Sequence, residues 1–119
     1  MKDINSVETE KYEGQTSKGV KHGHGSQGYP LTGEIYKGSF KQDMRHGNGL
    51  CVSRKTGVIY RGEFRENNMN GHGIIYCPPG EIIEGTFLNG FLNDGKVKIL
   101  VRLKAYQYLL FLVFQWRVL

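Results

Sequence analysis

Proline is scarce in this chain, at 3 of 119 residues, and so is cysteine, at 2. So little proline beside 17 glycines excludes a collagen-like or disordered low-complexity chain and points to many tight turns. Cys51 and Cys77 have no CxxC spacing, and residues 1–10 lack the apolar stretch of a secretory signal. Both features fit free thiols in a reducing compartment, so the expectation is a cytoplasmic protein that is not secreted, with residues 1–11 as a disordered lead-in. No apolar run reaches the roughly 20 residues a spanning helix needs. At 119 residues the chain makes one domain at most, with little apolar material to wall a deep active-site cavity.

Acidic residues are missing altogether from residues 96–119, where Lys96, Lys98, Arg102, Lys104 and Arg117 account for the whole net charge of +5. Residues 1–95 hold 11 basic and 11 acidic side chains. The basic character therefore belongs to the tail, and the body of the chain carries no charge-based case for binding nucleic acid.

Catalytic signatures are absent too. There is no Gly-x-Ser-x-Gly elbow and no Gly-Lys-Ser/Thr phosphate loop. Gly23-His24-Gly25-Ser26-Gln27-Gly28 spells a dinucleotide fingerprint, but Tyr29-Pro30 follows where a helix would have to open. Glutamates and histidines supply acid–base groups without gathering at a nucleophile. The expectation is no enzyme activity, no cofactor and no metal site.

What is present is a repeat. Tyr12-Glu13-Gly14, Tyr36-Lys37-Gly38 and Tyr60-Arg61-Gly62 start 24 residues apart, and Ile83-Glu84-Gly85 follows after 23. An aromatic recurs two places after the glycine, at Phe40, Phe64 and Phe87. Then come His22-Gly23-His24-Gly25, His46-Gly47-Asn48-Gly49 and Asn70-Gly71-His72-Gly73, and a late glycine at 33, 57 and 80. The pattern resembles the MORN-repeat family over residues 12–95, in units 12–35, 36–59, 60–82 and a partial 83–95. The first unit departs with Thr16 at the aromatic slot. The fourth departs with Asn93-Asp94-Gly95-Lys96, read as one late glycine with its second glycine missing.

Because Tyr36, Gly38 and Phe40 alternate, as do Tyr60, Gly62 and Phe64, each set shares one face of a strand. The glycine leaves a gap into which rings from neighbouring strands can lie. Leu50-Cys51-Val52 and Ile74-Ile75-Tyr76-Cys77 read as partner strands, and Gln42 to Gly47 and Glu66 to Gly71 as turns, which makes the histidines turn residues. His22 and His46 fall in the same slot of adjacent units, roughly 10 Å apart at ordinary strand spacing, too far to share one zinc. The fold expected is all-β, an elongated single-layer antiparallel meander of repeated hairpins.

The family resemblance implies a twisted sheet that binds an extended or helical segment of a partner protein in its groove, here over Tyr36, Phe40, Tyr60, Phe64 and Phe87. It also implies cytoskeletal, ciliary or flagellar settings, including sperm. The alternative is a peripheral protein holding acidic phospholipid mainly through the tail, at Lys98, Arg102, Lys104, Trp116 and Arg117. Val97 to Lys104 alternates as a further strand with a basic outer face, and residues 105–116 form a 12-residue apolar run. Three readings of that tail stand open: a helix or strand capping the aromatic face, an interfacial membrane anchor, or a segment from alternative splicing or a truncated gene. Open sheet edges and the apolar tail imply self-association, including a homodimer, and poor solubility.

Overall fold

The computed structural model describes residues 11–102 and 109–117. The strands are β1 (Tyr12–Ser17), β2 (Val20–Tyr29), β3 (Glu34–Lys41), β4 (Met44–Ser53), β5 (Ile59–Arg65), β6 (Asn68–Cys77), β7 (Glu81–Leu88), β8 (Phe91–Arg102) and β9 (Leu109–Arg117). They lie side by side in chain order in one antiparallel sheet. Among the described residues there is no helix. The fold is therefore all-β, with one hairpin per repeat. Of the expected lead-in, residues 1–11, all but Lys11 lie outside the described residues, as do residues 103–108 and 118–119.

Each hairpin closes through two residues, Lys18-Gly19, Gln42-Asp43, Glu66-Asn67 and Asn89-Gly90, all with positive φ. Two left-handed residues make the turn whose twist matches the flanking strands. The broad turns expected from Gln42 to Gly47 and from Glu66 to Gly71 are thus too long. Strand β4 is already under way at Met44 and β6 at Asn68. His22, His24, His46 and His72 are strand residues, which corrects their reading as turn residues.

Their short motif builds a bulge inside the second strand. In β3–β4 the register runs from Gly38↔Gly49 to Phe40↔Arg45, so residues 46–48 face Ser39 alone. The same shift occurs between Gly62 and Phe64 and between Gly14 and Thr16. The middle residue of each bulge, Gly23, Gly47 or Gly71, has φ between 81° and 96°, a conformation glycine adopts without steric cost. In two units an opposing side chain satisfies the freed amide: His24 N donates to Gln15 Oε1 at 2.8 Å and His72 N to Glu63 Oε2 at 2.6 Å.

The other glycine of the motif forms a floor. Gly14↔Gly25, Gly38↔Gly49 and Gly62↔Gly73 are direct cross-strand pairs, and a tyrosine ring lies over each pair. A Cβ on Gly49 would fall 2.3 Å from Cε2 of Tyr36, and one on Gly38 2.8 Å from its hydroxyl. The covering ring thus comes from the same strand as the first glycine and from the neighbour of the second. Tyr36 OH then donates to Ser39 O at 2.7 Å and Tyr60 OH to Glu63 O at 2.8 Å. Tyr12 OH bonds Gln15 O in the same way.

The fourth unit keeps the floor, since Gly85 pairs with Gly95. This register corrects the reading of that unit: Gly95 is the second glycine of the motif, and only Asn93 and Asp94 stand between Leu92 and Gly95 where the other units have three residues, so the bulge is one residue shorter and lacks its glycine. Strand β8 continues unbroken past residue 95 to Arg102, so the alternating segment from Val97 is its second half rather than a separate strand. Backbone pairing from Arg102↔Leu109 to Asp94↔Arg117 then adds β9 at the sheet edge, in the plane of the sheet.

Candidate functional site

Five rings form the core: Tyr36 at 0% exposure, Phe40, Tyr60, Phe64 and Phe87, none above 5%. They interlock edge to face in one ladder, Tyr12–Phe40–Tyr36–Phe64–Tyr60–Phe87, with centroids 5.0–5.2 Å apart. Each such contact is worth about 0.5–1.5 kcal/mol beyond the area it buries. Burial pushes the hydroxyls of Tyr36 and Tyr60 up to about 12, so both stay protonated as donors to their carbonyls. These five residues were the expected groove contacts. The structure places them inside the core, where they hold repeat to repeat.

What the ladder face offers instead is a pair of rails flanking the rings. One is Lys21, Arg45, Met69 and Leu92, the same slot of successive units, and all four are half-buried. The other is Gln27, Cys51, Ile75 and Val97, in register with Tyr36, Tyr60 and Ile83. Both rails change character along the sheet, from Lys21 with Gln27, through Arg45 with Cys51 and Met69 with Ile75, to Leu92 with Val97. Sequence reading missed these positions, although their 24-, 24- and 23-residue spacing on the first rail was there to be found.

Cations stand over the rings at the polar end. Lys21 Nζ lies 5.7 Å from the Tyr12 centroid and 5.6 Å from that of Phe40, and bonds Gln27 Oε1. The Arg45 guanidinium lies 5.3, 5.8 and 5.4 Å from the rings of Tyr29, Tyr36 and Phe64. It also donates to Asn67 O at 2.9 Å and approaches Glu34 at 3.7 Å. Cation–aromatic contacts contribute about 0.5–2 kcal/mol, more as water is excluded. Beside Arg45 a depression opens between the second and third units, lined by Glu34, Cys51, Tyr60, Met69 and Ile75 among others. Burial raises the Cys51 thiol above its ordinary pKa, which keeps it a thiol rather than a nucleophilic thiolate.

Of the residues expected to touch a membrane, Lys98 lies on the opposite face, 3.6 Å from Glu84. Arg102, Trp116 and Arg117 enter as backbone positions of β8 and β9, and Lys104 lies outside the described residues. Among the described residues no three of His, Cys, Asp and Glu gather where one metal ion could reach them all. No helix there is long and apolar enough to cross a membrane.

Side-by-side hairpins with a repeated glycine floor, a tyrosine over each floor and a phenylalanine between successive tyrosines define a repeat sheet, a class in which each unit is held mainly by its neighbours. The MORN repeat family model matches residues 12–30, 36–57 and 60–82, more than half of the chain, and the chain belongs to that family. The fourth hairpin lies beyond the matched residues yet continues the architecture. No curated protein matches the chain as a close relative.

Proposed function

We infer a protein-binding repeat protein, one of the two classes, protein-binding and membrane-associated, with which MORN repeats are consistent. We propose that this one is a non-enzymatic scaffold that holds an extended or helical segment of a protein partner along the ladder face, in a cytoplasmic assembly of cytoskeletal, ciliary or flagellar type. The observation that carries this reading is the pair of rails. With the rings committed to the core, a run of half-buried side chains at regular spacing remains beside them, and a depression between Arg45 and Met69 can take an anchoring side chain. Repeat sheets and solenoids use long, regular surfaces of this kind for extended partners.

The test belongs on the rails, because removing a ring removes the fold. Met69→Asp should leave the full chain folded by its far-ultraviolet spectrum, with a lowered melting temperature because Met69 packs against the core rings, and weaken recovery of a crosslinked partner segment by the folded variant about tenfold or more. Undiminished recovery by the folded variant would place the partner elsewhere. The membrane-associated reading makes the opposite forecast: flotation of the full chain with anionic vesicles, lost at high salt and indifferent to Met69→Asp.

A further inference from the structure

The face turned away from the rings carries its own pattern. On β3 it presents Ile35, Lys37, Ser39 and Lys41, and on β5 Ile59, Arg61, Glu63 and Arg65. Lys37, Lys41, Arg61 and Arg65 are all exposed. The ion pairs among the described residues are Arg45–Glu34 and Lys98–Glu84, so none of the four has an acidic partner there. The one acid between them, Glu63, has a carboxylate oxygen engaged by the His72 amide at 2.6 Å.

Register fixes their spacing. Lys37 and Arg61 both pair with Leu50, which sets them two strands, roughly 10 Å, apart, and each stands four residues, about 13 Å, from Lys41 or Arg65. Between them lies a depression lined by Lys37, Asn48, Gly49, Leu50, Arg61 and Gly62. Alongside runs an unbroken apolar row, Ile35↔Val52↔Ile59↔Tyr76↔Ile82, of which Ile35 is 38% exposed. The slot of Lys37 and Arg61 is filled by Glu13 in the first unit and Glu84 in the last.

We propose that this second face docks an acidic segment of a protein partner across β3–β6, its carboxylates over Lys37, Lys41, Arg61 and Arg65 and its apolar side chains on the Ile35–Val52–Ile59–Tyr76 row. Charge complementarity names the chemistry: four uncompensated cations beside an apolar row match alternating acidic and apolar side chains. Glu13, which has no ion pair among the described residues, favours a peptide over a bilayer, while Glu84 is paired with Lys98 and stands across from Lys96. An anionic membrane surface wide enough to meet the four cations would also meet Glu13, whereas a single segment fits beside it. The site is independent of the ladder face, so it stands or falls apart from the reading given for the rails.

Fluorescence anisotropy on the full chain tests it, with a labelled peptide alternating glutamate and leucine and a lysine–leucine counterpart. The acidic peptide should bind at low salt and weaken as salt rises, and the basic one should not bind. Lys37→Glu with Arg61→Glu should weaken the acidic peptide about tenfold or more, while Glu13→Lys strengthens it. Because these side chains are exposed, melting temperatures should stay put, and Met69→Asp on the other face should leave the peptide affinity unchanged. Equal affinity for both peptides, or indifference to the charge reversals, would overturn the proposal. So would anionic vesicles that bind through the four cations while the peptide does not, since the surface would then belong to a membrane.

Discussion

At Gly49 a single methyl group would fall 2.3 Å from Cε2 of Tyr36, and at Gly73 2.5 Å from Cε2 of Tyr60. Real side chains do not tolerate such distances, so the ring would have to leave its floor. It would then lose its bond to the Ser39 or Glu63 carbonyl and its fit against the neighbouring phenylalanines. Gly49→Ala should therefore destabilise by about 2–3 kcal/mol, in the range of an overpacked core. Gly28 lies in the same sheet with nothing within 4 Å of a Cβ position, so Gly28→Ala should be neutral or stabilise by up to about 1 kcal/mol, as alanine restricts the unfolded chain. Urea denaturation of the two variants decides the point, and equal effects would mean that the ring does not need its floor. The sequence showed that a gap recurs beside each tyrosine. It did not show that two glycines on adjacent strands build the gap, because their pairing depends on a bulge that shifts the register.

Turns show most clearly where element-level reading stops. A 24-residue period places strands and turns in alternation, but Gln42-Asp43 and Glu66-Asn67 lack the glycine that usually marks a two-residue hairpin, and bulge glycines a few residues on draw the eye instead. The reason for these residues lies in the preceding unit. Asp43 N donates to Lys21 O at 3.0 Å while Lys21 N donates to Asp43 Oδ1 at 2.8 Å. Asn67 does the same with Arg45, at 3.0 and 2.9 Å. Each hairpin tip is thereby clipped to the second strand of the unit before it. In the last hairpin Gly90 N reaches Met69 O at 2.9 Å, with no side chain to return the bond. Asn67→Gly keeps the left-handed turn and should cost about 1 kcal/mol for the lost acceptor. Asn67→Ala adds the strain of φ near 71° and should cost about 2 kcal/mol. Denaturation midpoints give both numbers, and an Asn67→Gly chain as stable as the parent would show that the side-chain half of the clip carries no weight.

Taken whole, the sheet is an array whose stability is close to a sum of unit and neighbour terms, so a defect in one unit should remain local. The fourth unit holds such a defect. Its floor, Gly85↔Gly95, is intact and Phe87 stacks on Tyr60 at 5.2 Å, but Ile83 stands where the other units have tyrosine. Leu92 Cδ1 reaches instead to 3.1 Å of a Cβ position on Gly95, closing part of the gap from the rail. Ile83→Tyr should return a ring to that floor, with its hydroxyl placed to donate to Thr86 O by analogy with the first three units and its edge against Phe87. Leu92 has to turn aside, which a leucine already half-exposed on the rail can do at small cost. The gain of one ring contact and one hydrogen bond should slow amide exchange in β7 and β8 by about tenfold while leaving β1–β4 unchanged. Protection rising equally throughout the sheet would mean that the units are not energetically separate. A loss of protection in β7 and β8 would mean that Leu92 already fills the floor and that the tyrosine ladder ends by design at the third repeat.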